Sequence, residues 1–437
     1  MPLKQFTIDF REFTTHQYLR FDEKFWFTTK NLAVYDYILL KDIFYLINGN
    51  SYTEYYTEEK TDIPYIRIGD LSFKYEIDDK NLIYLDDSCK INEDKKLRKD
   101  DLILATIGAT IGKINLAREF ENGTFSNNTI LLRLKDKENH NPYFYEKLFQ
   151  SDLLQKYIWG VVSQKAQPNL QTYDLQKIKI PVILKSKQDQ IVAEIEPIEK
   201  KIKALKSQIT PPQEIINKVF TREFGFDLEK FEEFKKEKFF EVYFSNFANH
   251  KDKRFGIGIR KANIDLKPFI SKSFEYVRLG KIVSLEYGSG LIDQQRIEGD
   301  YPVMGANGIV GYHNQYLIEG PSIIVGRKGS AGEVNYIEEN NYPIDTCFYV
   351  KFLQEQNIIY FSYLLKFLQL KRLTLFKGVP GLNRYDVYDV KIPNISLKSQ
   401  QKIVDEIKAE LDKQEEMKKK IEAQRNKIDE IIEKAIS

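Results

Sequence analysis

The sequence is poor in cysteine and histidine, which limits the chemistry it can perform. It contains two cysteines, Cys89 and Cys347, and four histidines among 437 residues. Two cysteines at unrelated positions support neither a disulfide framework nor a Cys-x-x-Cys metal site. The histidines show no metal-ligand spacing and have no partners for a catalytic triad. We therefore expect buried thiols, no metal site and no catalytic residues.

The sequence also lacks long apolar runs and a marked net charge. No run approaches the roughly 18 to 20 apolar residues that a membrane span needs, and residues 1–30 are aromatic and charged, unlike a signal peptide. The formal net charge of +2 neither favours nor excludes nucleic acid, because a basic surface can be balanced by an acidic one elsewhere. These features predict a cytoplasmic protein without a membrane partner.

A chain of this length exceeds what one hydrophobic core usually supports, and an internal repeat shows how it is divided. The spacing of Phe, Phe, His, Arg and Phe in residues 10–21 returns in residues 244–255. Further matches follow in the same order, such as Gly49 with Gly288. Near the end of each copy a longer stretch matches, from Leu170 and Leu382 onward.

The offset between the two copies falls along the chain, which indicates extra residues in the middle of the first copy. On this alignment Thr129 matches Thr346. The sequence therefore predicts a tandem duplication of a whole domain, with constant borders and a variable centre.

Each copy ends in apolar residues on a seven-residue period, which is typical of helices that pack along a seam. Pro211 and Pro212 end the first helix, and the second is predicted over 399–436. Two seams at equivalent places favour an internal partner over dimerisation of the chain, so we expect the helices to pack together as an antiparallel coiled coil. The predicted packing residues are Ile191, Ile195, Ile198, Ile202, Leu205 and Ile209 in the first copy and Ile403, Ile407, Gln414, Met417, Ile421 and Ile428 in the second.

Ahead of each helix, short β-like runs alternate with Gly-rich turns, so each copy is predicted to be a mixed α+β domain. Three loops per copy, among them residues 305–313, carry polar side chains able to bridge phosphates or read base edges. A solvated turn is the ordinary interpretation of one such loop, but matched sets favour a binding surface. The candidate DNA-binding residues are Arg67, Asp70, Thr106, Thr110, Lys113, Ser163, Gln164, Lys165, Gln167 and Asn169 in the first copy and Asn307, Tyr312, His313, Arg327, Lys328, Ser330, Asn383 and Arg384 in the second.

Two apparent enzyme motifs fail on inspection. Residues 108–114 resemble a phosphate-binding loop, but three residues separate the glycines instead of four, and Ile114 stands where a Mg²⁺-binding hydroxyl is needed. Residues 141–143 resemble part of an amino-methyltransferase motif but lack its second proline, which favours a packing role. The chain is therefore expected to bind without catalysing a reaction.

The duplicated domain, in which an Ile-Pro pair precedes a long helix, resembles the specificity (S) subunits of type I restriction-modification systems. Residues 167–191 and 382–403 carry this resemblance, together with the run 301–312. The sequence departs from the family where Glu-Gln often precedes the helix, since Asp189-Gln190 and Gln401-Lys402 stand there. The first copy also lacks the Gly-Ala-Asn-Gly run, so the two domains are expected to read different half-sites.

The resemblance implies a division of labour within a larger complex. Each variable domain would read one half of a split sequence in double-stranded DNA, and the two helices would set the spacing between the halves. Methyltransferase (M) subunits, two of them, would dock on the helices and flanking segments, and restriction (R) subunits would join. S-adenosylmethionine, ATP and Mg²⁺ would be bound by these partners, and this chain would hold no cofactor.

The predicted organisation is α+β with a pseudo-twofold internal repeat. Its segments are an N-terminal segment at 1–21, a target-recognition domain at 22–184, a central helical region at 185–222, a linker repeating the N-terminal segment at 223–255, a second target-recognition domain at 256–396 and a C-terminal helix at 397–437.

Two other hypotheses remain open. One is the specificity subunit of a type IIB or IIG-like system, in which a single partner both cuts and methylates; the number of neighbouring enzyme genes distinguishes it. The other is a non-catalytic scaffolding protein whose duplicated domains bind protein or sugar. Salt-dependent binding to duplex DNA would exclude the scaffold.

Overall fold

The computed structural model describes residues 36–162, 168–225, 271, 273–374 and 381–436. The repeated segments 10–21 and 244–255 lie outside these residues, as do the candidates Ser163, Gln164, Lys165 and Gln167. The chain divides into two compact units, one made of Met1–Gln208 with Lys418–Ser437 and the other of Ile209–Met417.

This division falls inside both predicted helical regions. The central region at 185–222 is split after Gln208, and the C-terminal helix at 397–437 is split after Met417. Both units contain short strands and helices, which confirms the predicted mixed fold. The finer domain boundaries stay a prediction.

The first unit consists of short strands and helices. Its strands are β1 (Tyr37–Leu39), β2 (Phe44–Asn48), β3 (Tyr56–Thr57), β4 (Pro64–Ile66), β5 (Ile83–Leu85), β6 (Leu102–Ala105), β7 (Ile114–Leu116), β8 (Thr124–Phe125), β9 (Thr129–Leu134) and β10 (Lys179–Pro181). Its helices are α1 (Leu40–Ile43), α2 (Pro142–Gln150), α3 (Asp152–Val161), α4 (Thr172–Gln176) and α5 (Lys185–Lys206). Short 3-10 turns cover Thr53–Tyr55, Glu93–Lys95 and Gly108–Thr110.

The main sheet of the first unit is antiparallel and has the strand order β2-β9-β6-β7. A second sheet has the order β3-β5-β4-β8, in which β4 and β8 run parallel. Strand β1 pairs with β10, so hydrogen bonds join the two ends of the domain. All four side chains of β6 are buried, as its unbroken apolar run predicts.

The second unit repeats this plan. Its strands are β11 (Tyr276–Arg278), β12 (Val283–Tyr287), β13 (Tyr301–Gly305), β14 (Gly308–His313), β15 (Ser322–Gly326), β16 (Val334–Ile337), β17 (Tyr342–Pro343), β18 (Cys347–Phe352) and β19 (Lys391–Pro393). Its helices are α6 (Pro212–Phe224), α7 (Ile358–Phe367), α8 (Arg384–Tyr388) and the first part of α9 (Leu397–Ile436). The 3-10 turns are Leu279–Lys281, Asp293–Gln295 and Leu370–Leu373.

The sheets of the second unit match those of the first. The main sheet is again antiparallel, in the order β12-β18-β15-β16, and a three-stranded sheet has the order β14-β13-β17. Strand β11 pairs with β19 as β1 pairs with β10. The two copies therefore share the topology of the main sheet and of the terminal strand pair, and the smaller sheet of the second copy has one strand fewer. No helix in the described parts of the chain is long and apolar enough to cross a membrane.

The matched glycines Gly49 and Gly288 have the same structural role, because each follows the first strand of a main sheet. A Cβ atom at Gly49 would overlap the carbonyl oxygen of Ser126, and one at Gly288 would overlap that of Ile344. Only glycine allows the backbones to approach so closely. This part of the sequence alignment is confirmed by the structure.

Another part of the alignment is off by one residue. Ala105 pairs with Thr129 in the first sheet, and Gly326 pairs with Cys347 in the second. Thr129 and Cys347 also begin equivalent strands, β9 and β18. Thr129 therefore matches Cys347 rather than Thr346, because register follows the backbone pairing and not a chance identity.

The sequence predicts a loop over 305–313, and this prediction is wrong. Strands β13 and β14 pair antiparallel and are joined through Ala306 and Asn307 as a two-residue turn. Gly308, the first residue of β14, has φ +113°, which lies in the region that glycine adopts most readily. The glycines therefore serve a hairpin.

The predicted seam of the first helix is buried in part. Ile191, Ile195 and Ile202 are buried, and α5 packs against α2. Ile198 and Leu205 are half-buried, as is Ile209, which lies beyond the end of the helix.

The residues in the first part of the α9 seam make two kinds of contact, apolar packing and a hydrogen bond. Ile403 and Ile407 lie in the core of the second unit, where the cluster also includes Ile215 and Phe220 of α6. The sequence predicts that these two residues face the other long helix, and this prediction is wrong. The domain needs an apolar cover, and the start of α9 provides it. Gln414 is buried and accepts a hydrogen bond from the backbone N–H of Thr210 at 2.9 Å.

Later in α9 the seam shifts. Ile421 and Ile428 are buried, Met417 is half-buried, and beyond them Ile432 and Ile436 are the buried residues. The antiparallel pairing of the two long helices stays a prediction.

A buried glutamine ties each long helix to its own domain. Gln188 accepts the backbone N–H of Asn141 at 2.8 Å, and its amide donates to the carbonyl five residues earlier at 2.7 Å. Gln400 makes the same two contacts, to the N–H of Asn357 at 3.0 Å and to the carbonyl five residues earlier at 3.2 Å. Asn141 and Asn357 in turn cap the N-termini of α2 and α7.

We expect Gln188→Ala to destabilise the first unit by about 1–3 kcal/mol, because the half-buried N–H of Asn141 and the carbonyl of Ile183 lose the partner that the buried side chain of Gln188 provides. The matched control is Gln190→Ala on the exposed face of the same helix, which should change stability by less than about 0.5 kcal/mol. Urea unfolding and amide hydrogen exchange of α2 measure both. Equal effects of the two substitutions would contradict this role of Gln188.

Candidate nucleic-acid interface

In the second unit, strand β12, the loop after β15 and helix α8 bring two arginines close to one tyrosine. Tyr287 ends strand β12 and is 52% exposed. The Cζ atom of Arg327 lies 5.3 Å from the centre of its ring, and that of Arg384 lies 5.2 Å away. Tyr385, 61% exposed, lies beside Arg384 with 5.3 Å between Cζ and ring centre. We call Tyr287, Arg327, Arg384 and Tyr385 the tyrosine–arginine cluster.

Arg327 is held in place by the backbone. Its Nε and Nη2 atoms donate to the carbonyl of Asp345 at 2.9 and 2.5 Å. Just before it, Gly326 approaches the hairpin turn so closely that a Cβ atom would lie 2.8 Å from the carbonyl of Ala306. The exposed Asn307 in that turn therefore belongs to the same end of the domain as Arg327.

Arg384 is positioned by the start of helix α8. The side chain of Asn383 caps this helix by accepting the N–H of Tyr385 at 3.1 Å. The hydroxyl of Tyr385 raises the pKa of the Arg384 guanidinium above its ordinary value, so the group stays charged. A β-bridge between Lys328 and Gly381 joins the loop after β15 to the segment before α8.

This arrangement suits nucleic acid. A guanidinium presents a planar set of donors that matches a phosphate or the O6 and N7 atoms of guanine. An aromatic ring beside it favours the cation and restricts its orientation. The exposed Lys328 adds a further positive charge next to the cluster.

The first unit has the same backbone frame with different side chains. A bridge between Ile107 and Asn169 takes the place of the one between Lys328 and Gly381. Asn48 stands where the second unit has Tyr287, and its Oδ1 atom accepts the hydroxyl of Thr172 at 3.0 Å. Thr172 in turn takes the place of Arg384 at the start of the equivalent helix.

An aromatic residue and a cation are present in the first unit too. Tyr173 is 44% exposed, and the Nζ atom of Lys177 lies 3.8 Å from its ring centre. The copies therefore share a scaffold and differ in the groups they would offer to a base.

Three of the residues predicted to contact DNA are buried and hydrogen-bonded within their own domains. The carboxylate of Asp70 accepts the backbone N–H of Arg67 at 2.8 Å and its guanidinium at 3.1 Å. The Thr106 hydroxyl donates to a backbone carbonyl at 2.9 Å. The Nδ1 atom of His313 accepts a backbone N–H at 3.0 Å. We leave Asp70, Thr106 and His313 out of the interface because their polar atoms hold turns together.

The remaining candidates in the described residues differ in exposure. Thr110 is half-buried, and its hydroxyl donates to the Ile107 carbonyl at 2.7 Å. Arg67 is half-buried and engaged with Asp70. Also half-buried are Lys113, Asn169, Arg327, Ser330 and Arg384, and the exposed residues are Asn307, Tyr312, Lys328 and Asn383. Among the described residues, no group of three or more His, Cys, Asp or Glu side chains is placed to hold a metal ion.

Comparison with known families gives a match over most of the chain. The model of the type I restriction modification DNA specificity domain matches residues 35–211 and again residues 271–425. No match was found among curated proteins.

Three solved structures are similar over nearly their whole lengths. A type I restriction-modification S subunit from M. genitalium is 17% identical, with a TM-score of 0.41, covering 92% of this chain and 96% of that one. A structure concerning complex assembly and conformational transition of the type I R-M system is 14% identical, with a TM-score of 0.46, covering 92% and 97%. The HsdS subunit from Thermoanaerobacter tengcongensis is 14% identical, with a TM-score of 0.35, covering 92% and 96%.

Proposed function

Since the chain belongs to the family of type I restriction modification DNA specificity domains, with two copies in tandem, we propose that it reads a duplex DNA target made of two separated halves. The observation that carries this proposal is the double match, over 35–211 and 271–425. Each copy reads one half, and the halves differ because the side chains at equivalent positions differ.

In the second copy, the tyrosine–arginine cluster is the proposed reading surface. Arg384 and Arg327 supply donors for guanine edges or phosphates, and Lys328 supplies charge toward the backbone of the duplex. The ring of Tyr287 lies at similar distances from both guanidinium groups and restricts their orientation. In the first copy, Asn48, Thr172 and Tyr173 take these places, and amide and hydroxyl groups pair with other base edges.

The chain works within a complex and leaves the chemistry to its partners. We propose that two methyltransferase subunits dock on the helical segments and that restriction subunits join them. S-adenosylmethionine, ATP and Mg²⁺ are bound by those subunits. A methyltransferase must flip its target base out of the duplex, and this chain would hold the complex in register on the DNA while that occurs.

Sequencing of modified bases in host cells with and without this gene tests the proposed function. The expected result is a methylated motif of two specified halves around an unspecified spacer, which disappears when the gene is deleted. A methylation pattern that is unchanged by the deletion would refute the proposal. In vitro, binding of the reconstituted complex to the motif should weaken steeply as salt rises, because phosphate contacts release counterions.

A further inference from the structure

The first unit contains a cavity of about 650 Å³, and none of the residues proposed to read DNA lines it. It lies between the segment that follows β4, helix α2, helix α5 and residue Arg425 of helix α9. A cavity of this size is in the range of small-molecule sites.

Two cations meet at one tyrosine in this cavity. The Nζ atom of Lys206 lies 3.0 Å from the ring centre of Tyr75, and the Cζ atom of Arg425 lies 4.3 Å from it. Burial lowers the pKa of Lys206 to about 8, and the charge of Arg425 contributes to the same shift. Burial also lowers the pKa of Arg425. The charge of Arg425 thus disfavours the charged form of Lys206.

Of the glutamates around the cavity, Glu196 is exposed, and Glu76 and Glu199 are paired with other cations. Glu76 pairs with Arg118 and Lys203. Glu199 pairs with Lys147, whose Nζ atom lies 2.6 Å from its Oε1 atom.

Asp429, the next acidic residue along α9, pairs with Lys74 at 3.2 Å. In the described part of the chain, neither Lys206 nor Arg425 has a carboxylate within salt-bridge distance. Asp78 and Asp79 lie on the exposed rim of the cavity.

Two buried donors at the cavity lack acceptors within the described protein. The Nε atom of Arg425 has no hydrogen-bond partner there, and the residue is 7% exposed. The Nε atom of Arg118, which also lines the cavity, is buried without a partner too. Buried guanidinium donors without acceptors are costly, so a ligand that supplies oxygen acceptors would stabilise this site.

We propose that this cavity binds a small phosphate dianion, either free phosphate or a phosphomonoester, between Arg425 and Lys206. Two unpaired cations match a charge of about −2, and the several oxygens of a phosphate match the fork of a guanidinium and the three donors of an ammonium. The site is independent of the proposed reading of DNA, since none of its residues belongs to the DNA-reading surfaces.

Titration calorimetry of the full chain with inorganic phosphate, at constant ionic strength in chloride, tests the site. Wild type should show saturable binding, and Lys206→Met and Arg425→Gln should each weaken it about tenfold or more through loss of one charge-assisted contact. The matched control is Lys201→Met, which removes an exposed charge of the same helix outside the cavity and should leave the affinity unchanged.

Stability provides a second readout that separates ligand binding from a structural role. A lysine with a folded-state pKa of about 8, below its ordinary 10.5, stabilises the folded state only at high pH. Its contribution is lost as the pH falls through 8, so the charged lysine is unfavourable at pH 7. Lys206→Met should therefore raise the melting temperature at pH 7 without phosphate while it weakens phosphate binding.

Three results would overturn the proposal. The first is no saturable binding of phosphate by the wild type. The second is equal weakening in Lys201→Met, which would indicate diffuse charge attraction only. The third is loss of duplex DNA binding in the two cavity variants together with no phosphate binding, which would assign the cations to the DNA backbone.

Discussion

Replacement of Arg384 by alanine is expected to weaken recognition of one half of the DNA target by about tenfold to a hundredfold and to leave the other half unchanged. The size follows from the roughly 1–3 kcal/mol of discrimination that a good bidentate contact to a base provides. Arg384 lies between the rings of Tyr287 and Tyr385, at 5.2 and 5.3 Å, which restricts its guanidinium to one direction.

Lysine at this position should not restore recognition. An ammonium is a point charge without the planar fork of a guanidinium, and it does not reproduce bidentate contacts or stacking on a ring. Arg384→Lys should therefore keep most of the nonspecific affinity for DNA and lose most of the sequence preference. Tyr287→Ala should weaken the same sequence preference, because it removes the ring that lies beside both arginines of the cluster.

The control for Arg384→Ala is Lys351→Ala, which removes an exposed cation from strand β18. This strand belongs to the same sheet as Tyr287. The reconstituted complex is assayed for methylation rate on duplexes in which each half of the target is varied in turn. Equal losses at both halves would contradict independent reading by the two units. A loss no larger than that of Lys351→Ala would show that Arg384 acts only through its charge.

Much of the fold is predictable because it depends on local patterns. The unbroken apolar run of β6 predicts a buried strand, and all four of its side chains are buried. The proline pair at Pro211 and Pro212 separates α5 from α6, as expected from the missing backbone donor. Even the matching of Gly49 with Gly288 follows from one physical requirement, the close approach of two backbones.

The candidate site was less accessible from sequence because it depends on contacts far apart in the chain. The sequence points to Arg327 and Arg384 as loop residues but not to Tyr287, whose ring lies beside both. Its signal was weak, since it lies at the end of a strand and only the fold brings the three together. Its exposure, 52% for a large aromatic residue, is visible only in the structure.

Local hydrogen bonding explains why some residues that the sequence predicts to contact DNA do not belong to the interface. Asp70 follows Arg67 by three residues, and in that position a carboxylate closes a turn onto a backbone N–H. Polar residues in Gly-rich segments can thus either close a turn or contact a ligand, and composition does not distinguish the two roles. Thr106 is a second instance, because its hydroxyl is already taken by a backbone carbonyl.

The largest effect on stability is expected from Asp101→Ala in the first unit, a loss of about 3–5 kcal/mol. Asp101 and Arg133 are 2% and 6% exposed, and two hydrogen bonds of 2.9 and 2.7 Å join the carboxylate to the guanidinium. Without Asp101 the guanidinium stays charged in a buried place where only backbone carbonyls remain, so the cost is that of an uncompensated charge. The loss of stability should appear as weaker protection of the β6 and β9 amides against hydrogen exchange. The urea transition of this unit should move to a lower urea concentration.

The neighbouring residue provides the matched control. Asp100 pairs with Lys137 at 2.9 Å, with side chains 30% and 53% exposed, so Asp100→Ala removes the same charge from a solvated pair. Its expected cost is at most about 1 kcal/mol. Replacement of both buried partners, Asp101→Leu with Arg133→Met, should cost less than Asp101→Ala alone, because no charge is left uncompensated. Two results would contradict this account: a double variant less stable than Asp101→Ala, or equal losses of stability in Asp100→Ala and Asp101→Ala. Either would mean that burial does not determine how much the pair contributes to the free energy of unfolding.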